Sequence, residues 1–392
     1  QRIIFGLGGF IIVAVLGIIG AGWYISNYQP LHQTVIRVND VKFDMNYYIK
    51  MLSYYGQGRS SQYMPFVADE VVTIIERNEL VRQGAMELGI SVSDDEVDEK
   101  LEKYDSPLSK DYRDVVRTEM LVSKLSDEYF EHQVPLSIEQ RHIMAMFLES
   151  ESQATEVRAR LEDGESFAEL AGELSLDSLS KLEKGDLGWR PKGALTVLLD
   201  TSILDENVFS SEIGVLSQPI YDDAKAKNAG YWLIKVLEKG EETAHVQAIL
   251  LGSEQRAQGV RDRLEAGEDF AELAGELSQN DMSKENGGDL GWVAKGIMSS
   301  AFADFVFNPE TKLDTISAPV TDPTTWTKGG YWLVKVLDKD DNRQIEDENR
   351  YLLKTKLFDE WVSALWDDPE NNVESYLDEE QKWWAIGRVI GS

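Results

Sequence analysis

Residues 157–175 read VRARLEDGESFAELAGELS and residues 260–278 read VRDRLEAGEDFAELAGELS, identical at all but three positions and 103 residues apart. The same offset carries Gly-Asp-Leu-Gly-Trp from 185–189 to 288–292 and His142 onto His245. It falls to 100 where GYWLIKV at 230–236 returns as GYWLVKV at 330–336, so the loop between is three residues shorter in the second copy. The middle of the chain is therefore an internal duplication with units of about 100 residues. Hydrophobic spacing within one unit predicts a strand at 143–148, helices at 154–164 and 167–174, a GDLGW loop, a short helix and a final strand at 231–237.

Outside the duplication the pattern is helical. VIRV at 35–38 reads as a strand before an Asn39-Asp40 turn, and residues 64–90 then place Val67, Val71, Ile74, Ile75, Leu80 and Val81 near helical spacing, with Gly89 as the stop. Ser93 and Glu96 form a capping box that opens another helix, an amphipathic stretch covers 112–132, and Pro135 closes the region. After the duplication, 342–365 is helical with Tyr351, Leu352, Leu357, Phe358, Trp361 and Leu365 on its apolar face. Residues 367–381 then carry seven acids and no base, a pattern that predicts a solvated surface. The terminal WWAIGRVI at 383–390 is too short to span a bilayer and is expected to pack on the helical region or to touch a membrane surface.

Composition narrows the function. Among 392 residues, 39 Lys and Arg face 70 Asp and Glu, a net charge of −31 that excludes a nucleic-acid binder. A hydrophobic content of 42% permits packed cores. With no cysteine there is no disulfide, no thiolate metal site and no Cys nucleophile, and none of the four His sits in a spacing such as HExxH, so neither metal nor cofactor is expected. Residues 3–25, IIFGLGGFIIVAVLGIIGAGWYI, carry no charge and are long enough at about 1.5 Å per residue to cross a hydrocarbon core of roughly 30 Å. They predict a single transmembrane anchor with Trp23 and Tyr24 at the interface, and Arg2 favours an inside N-terminus with the bulk of the chain extracytoplasmic.

With the repeat in view, the residues carry a family resemblance. FAELAGELS, then GDLGW, then GYWLIKV resembles the parvulin type of peptidyl-prolyl isomerase domain, and it does so in both copies. VNDVKF at 38–43, ELVRQGAMELGISVSDDEV at 79–97 and LFDEWVSALW at 357–366 resemble the split chaperone domain of SurA, PpiD and PrsA. The resemblance implies an α+β protein: an anchor at 1–26, a helical chaperone domain at 27–136, parvulin domains at 137–240 and 241–340, and a segment 341–392 whose helix completes the chaperone domain before the acidic tail. Each parvulin domain is expected to hold an antiparallel four-stranded sheet wrapped by helices.

Parvulin chemistry is noncovalent: the X-Pro rotation barrier of about 18–20 kcal/mol falls when a site favours the twisted amide. The resemblance implies an apolar slot for the proline ring beside a polar cluster of two His and a Cys or Asp. Carried over residue by residue, the first His position falls on Ala145 and Ala248, and the second on Trp232 and Trp332. The Cys or Asp position falls on Asp177 and Asn280, leaving Asp177 as the one candidate catalytic acid, and a Thr position becomes Asp222 and Asp322. The slot lining maps to Leu187, Leu195 and Leu199 in the first copy and to Leu290, Met298 and Phe302 in the second. Met298 and Phe302 also have the spacing of an ordinary helical core pair, and His142 and His245 stand three residues before the Ala positions, which puts them on the opposite strand face. The leading expectation is a membrane-anchored extracytoplasmic folding factor that binds unfolded or newly translocated polypeptides, with weak or lost isomerase activity. Two alternatives stay open: an active isomerase, and a structural accessory subunit of a membrane protein complex.

Overall fold

The computed structural model describes Tyr24, residues 28–103 and residues 112–391. The stretch 3–25 read as a membrane anchor lies outside the described residues apart from Tyr24, and among the described residues no helix is long and apolar enough to cross a membrane. The described residues form two compact units, one from those up to Val134 together with those from Leu357 onward, the other from Pro135–Lys356.

In the first unit a hairpin of β1 (Thr34–Val38) and β2 (Val41–Asp44) turns on Asn39, whose φ of 55° lies in the left-handed region that Asn tolerates. Helix α1 (Met45–Tyr55) starts where the Asp44 carboxylate accepts from the Tyr47 backbone N–H at 2.9 Å. Helix α2 (Met64–Glu87) lays Val67, Ala68, Val71 and Ile75 into a core shared with β1 and α1. Ser93 and Glu96 make the expected capping box at the start of α3 (Asp94–Glu102). The single helix predicted over 112–132 is an α-helix, α4 (Arg113–Lys124), running into a π-helical turn at Leu125–Phe130.

The second unit starts with β3 (Ser137–Leu148), α5 (Glu151–Glu162), α6 (Phe167–Leu174) and α7 (Ser178–Leu182). Then come β4 (Asp186–Pro191), α8 (Ala194–Leu198), α9 (Ile203–Ser210) and β5 (Ile220–Lys239). The second copy repeats the order as β6 (Thr243–Leu251), α10 (Glu254–Glu265), α11 (Phe270–Leu277), α12 (Asp281–Glu285), β7 (Asp289–Ala294), α13 (Ser300–Val306) and β8 (Val320–Gln344). GDLGW, read as a loop, is largely a strand in both copies, because the glycines admit positive φ at Gly185, Gly188, Gly288 and Gly291 while Leu and Trp stay extended. Helix α14 (Asp347–Asp367) leads back to the first unit, where β9 (Val373–Ser375) pairs with β1 and α15 (Glu379–Ile390) buries Ala385 and Ile386. Six of the seven acids in 367–381 are exposed, as the charge pattern predicts, while the backbone of the run supplies a strand to a three-stranded sheet, held in part by an Asn39 side chain that donates to Asn371 and accepts from the Asn372 backbone N–H.

The six strands of the second unit form one sheet, in the order β4-β3-β8-β5-β6-β7. Here the structure departs from the expectation of two self-contained four-stranded sheets. The first strand of the first copy, β3, pairs with the last strand of the second, β8, placing Ala145 opposite Val334 and Phe147 opposite Trp332. The last strand of the first copy, β5, pairs with the first strand of the second, β6, placing Ala248 opposite Ile234 and Leu250 opposite Trp232. At the centre β5 and β8 run antiparallel to each other, with Ile220 opposite Trp332 and Trp232 opposite Val320. Each copy has therefore given its final strand to the other, and residues 222–230 and 322–330 are extended where a closed repeat needs a hairpin.

Chain connectivity accounts for the exchange. Only Gly240, Glu241 and Glu242 separate β5 from β6, with the Gly240 N–H donating to the Thr243 carbonyl at 2.7 Å. Three residues span about 10 Å, the reach of a hairpin turn, and leave no length to carry the chain out of one closed sheet and into a second. The exchange gives two lobes, each with its own core. One lobe packs Ile143, Ala145, Phe147, Leu187, Leu195 and Leu199 against Trp332, Val334 and Val336. The other packs Val246, Ala248, Phe302 and Val306 against Trp232, Ile234 and Val236. Trp232→Ala is therefore expected to cost about 3–5 kcal/mol and to expose amides of β6 and α13, in the second copy, before those of β3 and α8. Hydrogen exchange read residue by residue checks the order.

Candidate functional site

The residues that correspond to the isomerase site converge in each lobe, but with partners exchanged between copies. Alternation along β3 sends Ile143, Ala145 and Phe147 to one face and Met146 and Leu148 to the other, where they meet α5 and α6. Ala145 therefore faces Trp332, and Ala248 on β6 faces Trp232. The sequence pairs Ala145 with Trp232 and Ala248 with Trp332 by copy; the structure pairs them across copies, because the tryptophans ride on the exchanged strands. All four are buried. Phe147 lies 4.8 Å from Trp332, and Trp232 meets Phe302 edge-to-face at 5.1 Å.

Each indole N–H is fixed by the aspartate found at the family's Thr position. Trp332 Nε1 donates to Asp222 at 3.1 Å, and Trp232 Nε1 donates to Asp322 at 3.1 Å. Thr201 also donates to Asp222, at 2.5 Å. Asp322 collects more: the hydroxyls of Ser299, Thr324 and Thr325 donate at 2.5, 2.7 and 2.7 Å, and the Thr324 backbone N–H at 3.0 Å. Burial pushes the Asp322 carboxyl up, but the bonds from Ser299, Thr325 and Thr324 outweigh it and hold the group at about 2. The two alanines are tied through their backbones: the Ala145 and Ala248 carbonyls accept from Ser180 and Ser283 at 2.5 Å, and their N–H groups donate to the Gly185 and Gly288 carbonyls at 2.9 Å.

Asp177, the candidate acid, has both carboxylate oxygens engaged. Oδ1 accepts from the Ser180 N–H at 2.8 Å and caps α7, while Oδ2 pairs with Lys225 at 2.9 Å. That lysine also donates to the Leu199 carbonyl at 2.6 Å and lies 5.9 Å from the Trp332 ring centre. In the second lobe both members of the pair are replaced, with Asn280 capping α12 through Ser283 and Thr325 standing at the Lys225 position. Asp177 is buried and paired with a lysine that lies 48 residues on in the chain and that residue-by-residue transfer of the family's site overlooks.

The slots differ. Leu187, Leu195 and Leu199 are at most 2% exposed and belong to the core of the first lobe, so that slot is filled by its own walls. In the second lobe Phe302 is buried, but Leu290 and Met298 are half-buried and keep an open side. Neither histidine joins either cluster. His142 pairs with Asp186 at 2.8 Å beside the Trp189 ring, and His245 pairs with Asp289 at 2.9 Å beside the Trp292 ring.

Comparison with known proteins assigns both repeats to one domain family. Family models described as the PPIC-type PPIASE domain match residues 142–238 and 231–340. The chaperone SurA of Alcanivorax borkumensis is 34% identical over 176 residues, covering 41% of this chain and 38% of that protein. The chaperone SurA of Alkalilimnicola ehrlichii is 28% identical over 312 residues, covering 66% of this chain and 67% of that protein. The crystal structure of the peptidylprolyl isomerase PrsA from Bacillus anthracis is 14% identical, covering 81% of this chain and 94% of that one with a TM-score of 0.32. The chain is a parvulin-type, SurA- and PrsA-like protein with two tandem domains, and it spans 38% and 67% of the lengths of the two curated relatives named.

The depressed Asp322 carboxyl has a measurable consequence. Its folded pKa of about 2 lies below the unfolded value of about 3.9, so its contribution to stability is complete well above pH 4 and is lost as pH falls from there toward 2. Wild-type chain and Asp322→Asn unfolded in urea at several pH values should differ most near neutrality and converge as pH falls through about 2.

Proposed function

We propose that this protein is an extracytoplasmic folding factor that holds unfolded or newly translocated polypeptides, and that both isomerase-type sites have lost catalytic power. One observation carries the reading. Where the family places imidazoles beside the substrate carbonyl, this chain has methyl groups at Ala145 and Ala248 and indoles at Trp232 and Trp332 whose N–H groups are already spent on Asp322 and Asp222. A site that favours a twisted amide over a planar one needs polar groups free to act on the amide. Here those groups are buried and paired.

Client binding is supported by what stays open. In the second lobe the half-buried Leu290 and Met298 suit an apolar side chain or a proline ring. In the first unit a cleft of about 530 Å³ has an apolar wall of Phe43, Ile75 and Leu121 beside the Arg82–Glu79 and Arg117–Asp114 ion pairs, within the volume range of sites that take small ligands or side chains. The names of the curated relatives, chaperones in both cases, agree with this reading. Attachment to the cytoplasmic membrane through residues 3–25, with the remainder extracytoplasmic, rests on the uncharged apolar sequence of that stretch.

NMR exchange spectroscopy on a proline peptide tests the catalytic half. The account expects the chain to leave the cis–trans exchange rate unchanged while suppressing aggregation of an unfolded client at stoichiometric ratios. Clear acceleration favours the active-isomerase reading, and copurification with one partner at fixed stoichiometry favours a structural subunit. Deleting residues 3–25 should move the protein from the membrane to the soluble fraction; unchanged sedimentation with membranes contradicts the anchor.

A further inference from the structure

The two outer strands of the six-stranded sheet, β4 and β7, are equivalent in the repeat but are treated differently by the rest of the chain. Each pairs inward with one neighbour. The outer rim of β4 is covered by the chain itself. Asn349, at the start of α14, donates from its side chain to the Trp189 backbone carbonyl at 2.8 Å. Arg190 donates to Glu348 and Asn349 at 3.0 Å, and the Arg343 guanidinium stands 4.5 Å over the Trp189 ring. β4 also ends in Arg190-Pro191, and a proline has no N–H to offer an added strand.

Among the described residues β7 receives none of this. Strand β8 runs on to Gln344 and feeds α14, which supplies the cover for β4, whereas β5 stops at Lys239 and turns directly into β6. Nothing in the first copy is left over to cover the equivalent rim. The strand reads DLGWVA, with neither the lysine nor the proline that commonly blunts an edge. Trp292 is 57% exposed, and among the described residues no cation stands over its ring, His245 at 5.9 Å being its one aromatic neighbour. Ile297 and Met282 are exposed nearby in the sequence of the same lobe.

We propose that the rim of β7, anchored on Trp292, docks an extended polypeptide segment carrying an arginine, deepening the folding-factor reading on which this inference rests. The cover on β4 shows the chemistry of the occupant: a guanidinium over the indole and an amide donor on the tryptophan carbonyl. A client strand supplies both, the first from a side chain and the second from its backbone. Charge favours the same occupant, since the chain carries −31 and the one ionisable group in β7 is Asp289. That carboxyl is held below its usual range chiefly by the Gly291 N–H, against burial, with His245 adding to it.

The test uses the full chain and fluorescent, unstructured 12-residue peptides rich in Val and Thr around a single Arg, with Glu replacing Arg in the control. Wild-type chain should bind the Arg peptide about tenfold more tightly than the control, and Trp292→Ala should reduce that preference to the part set by charge, with Trp292→Phe restoring some of the rest. Amide shifts on titration should centre on β7. Equal affinity for the two peptides, or an unchanged preference in Trp292→Ala, overturns the inference, as does concentration-dependent pairing of two copies through β7. If the preference is absent while the wild-type chain still suppresses client aggregation, only this docking edge is lost; if aggregation suppression is absent as well, the folding-factor reading fails with it.

Discussion

The architecture of the double domain depends on the length of one connection. With three residues between β5 and β6, the end of the first copy and the start of the second are bound into a hairpin, and the final strand of each copy completes the sheet of the other. Connection length sets strand adjacency more firmly than local preference does, because a hairpin is the lowest-entropy way to join neighbouring antiparallel strands. The extended central pair of β5 and β8, the crossed Trp–Asp bonds and the merging of two sheets into one all follow from that constraint.

The two repeats also differ at their sites. The first lobe closes its slot with three leucines and adds the Asp177–Lys225 pair, while the second keeps Met298 and Leu290 partly open and carries Asn280 and Thr325 instead. A buried ion pair contributes little net stability, yet it becomes costly if one partner is removed. The joint presence of Asp177 and Lys225 in one copy and their joint absence in the other is what that rule leads one to expect. The same asymmetry reaches the sheet edges, where one strand is covered by α14 and the other is bare.

Much of this was legible in the sequence. The duplication marks the helices of both copies, and transfer of the parvulin positions singles out Ala145, Ala248, Trp232, Trp332, Leu195 and Phe302 as site positions, which the structure buries in the cores of the two lobes. Which copy supplies each tryptophan was not legible. Residues 230–236 and 330–336 differ at one position, so local pairing energies are nearly equal and only the length of 240–242 decides between them. GDLGW was missed as a strand because its glycines mask a short period-2 pattern, and the strand at Val373–Ser375 because acids dominate the composition around it. Lys225 was missed because nothing local marks a lysine whose partner is set by the fold.

The absence of cysteine from the chain makes the central claim open to a direct measurement by engineered disulfides. Lys235 stands opposite Gln247, and Met144 opposite Lys335, only if the final strands are exchanged. Cysteines introduced as Lys235→Cys with Gln247→Cys should oxidise rapidly and completely in the native full-length chain, whereas Lys235→Cys with Met144→Cys should stay reduced. Cross-linking of the second pair, with the first remaining free, would mean that each repeat closes on itself and would contradict the account.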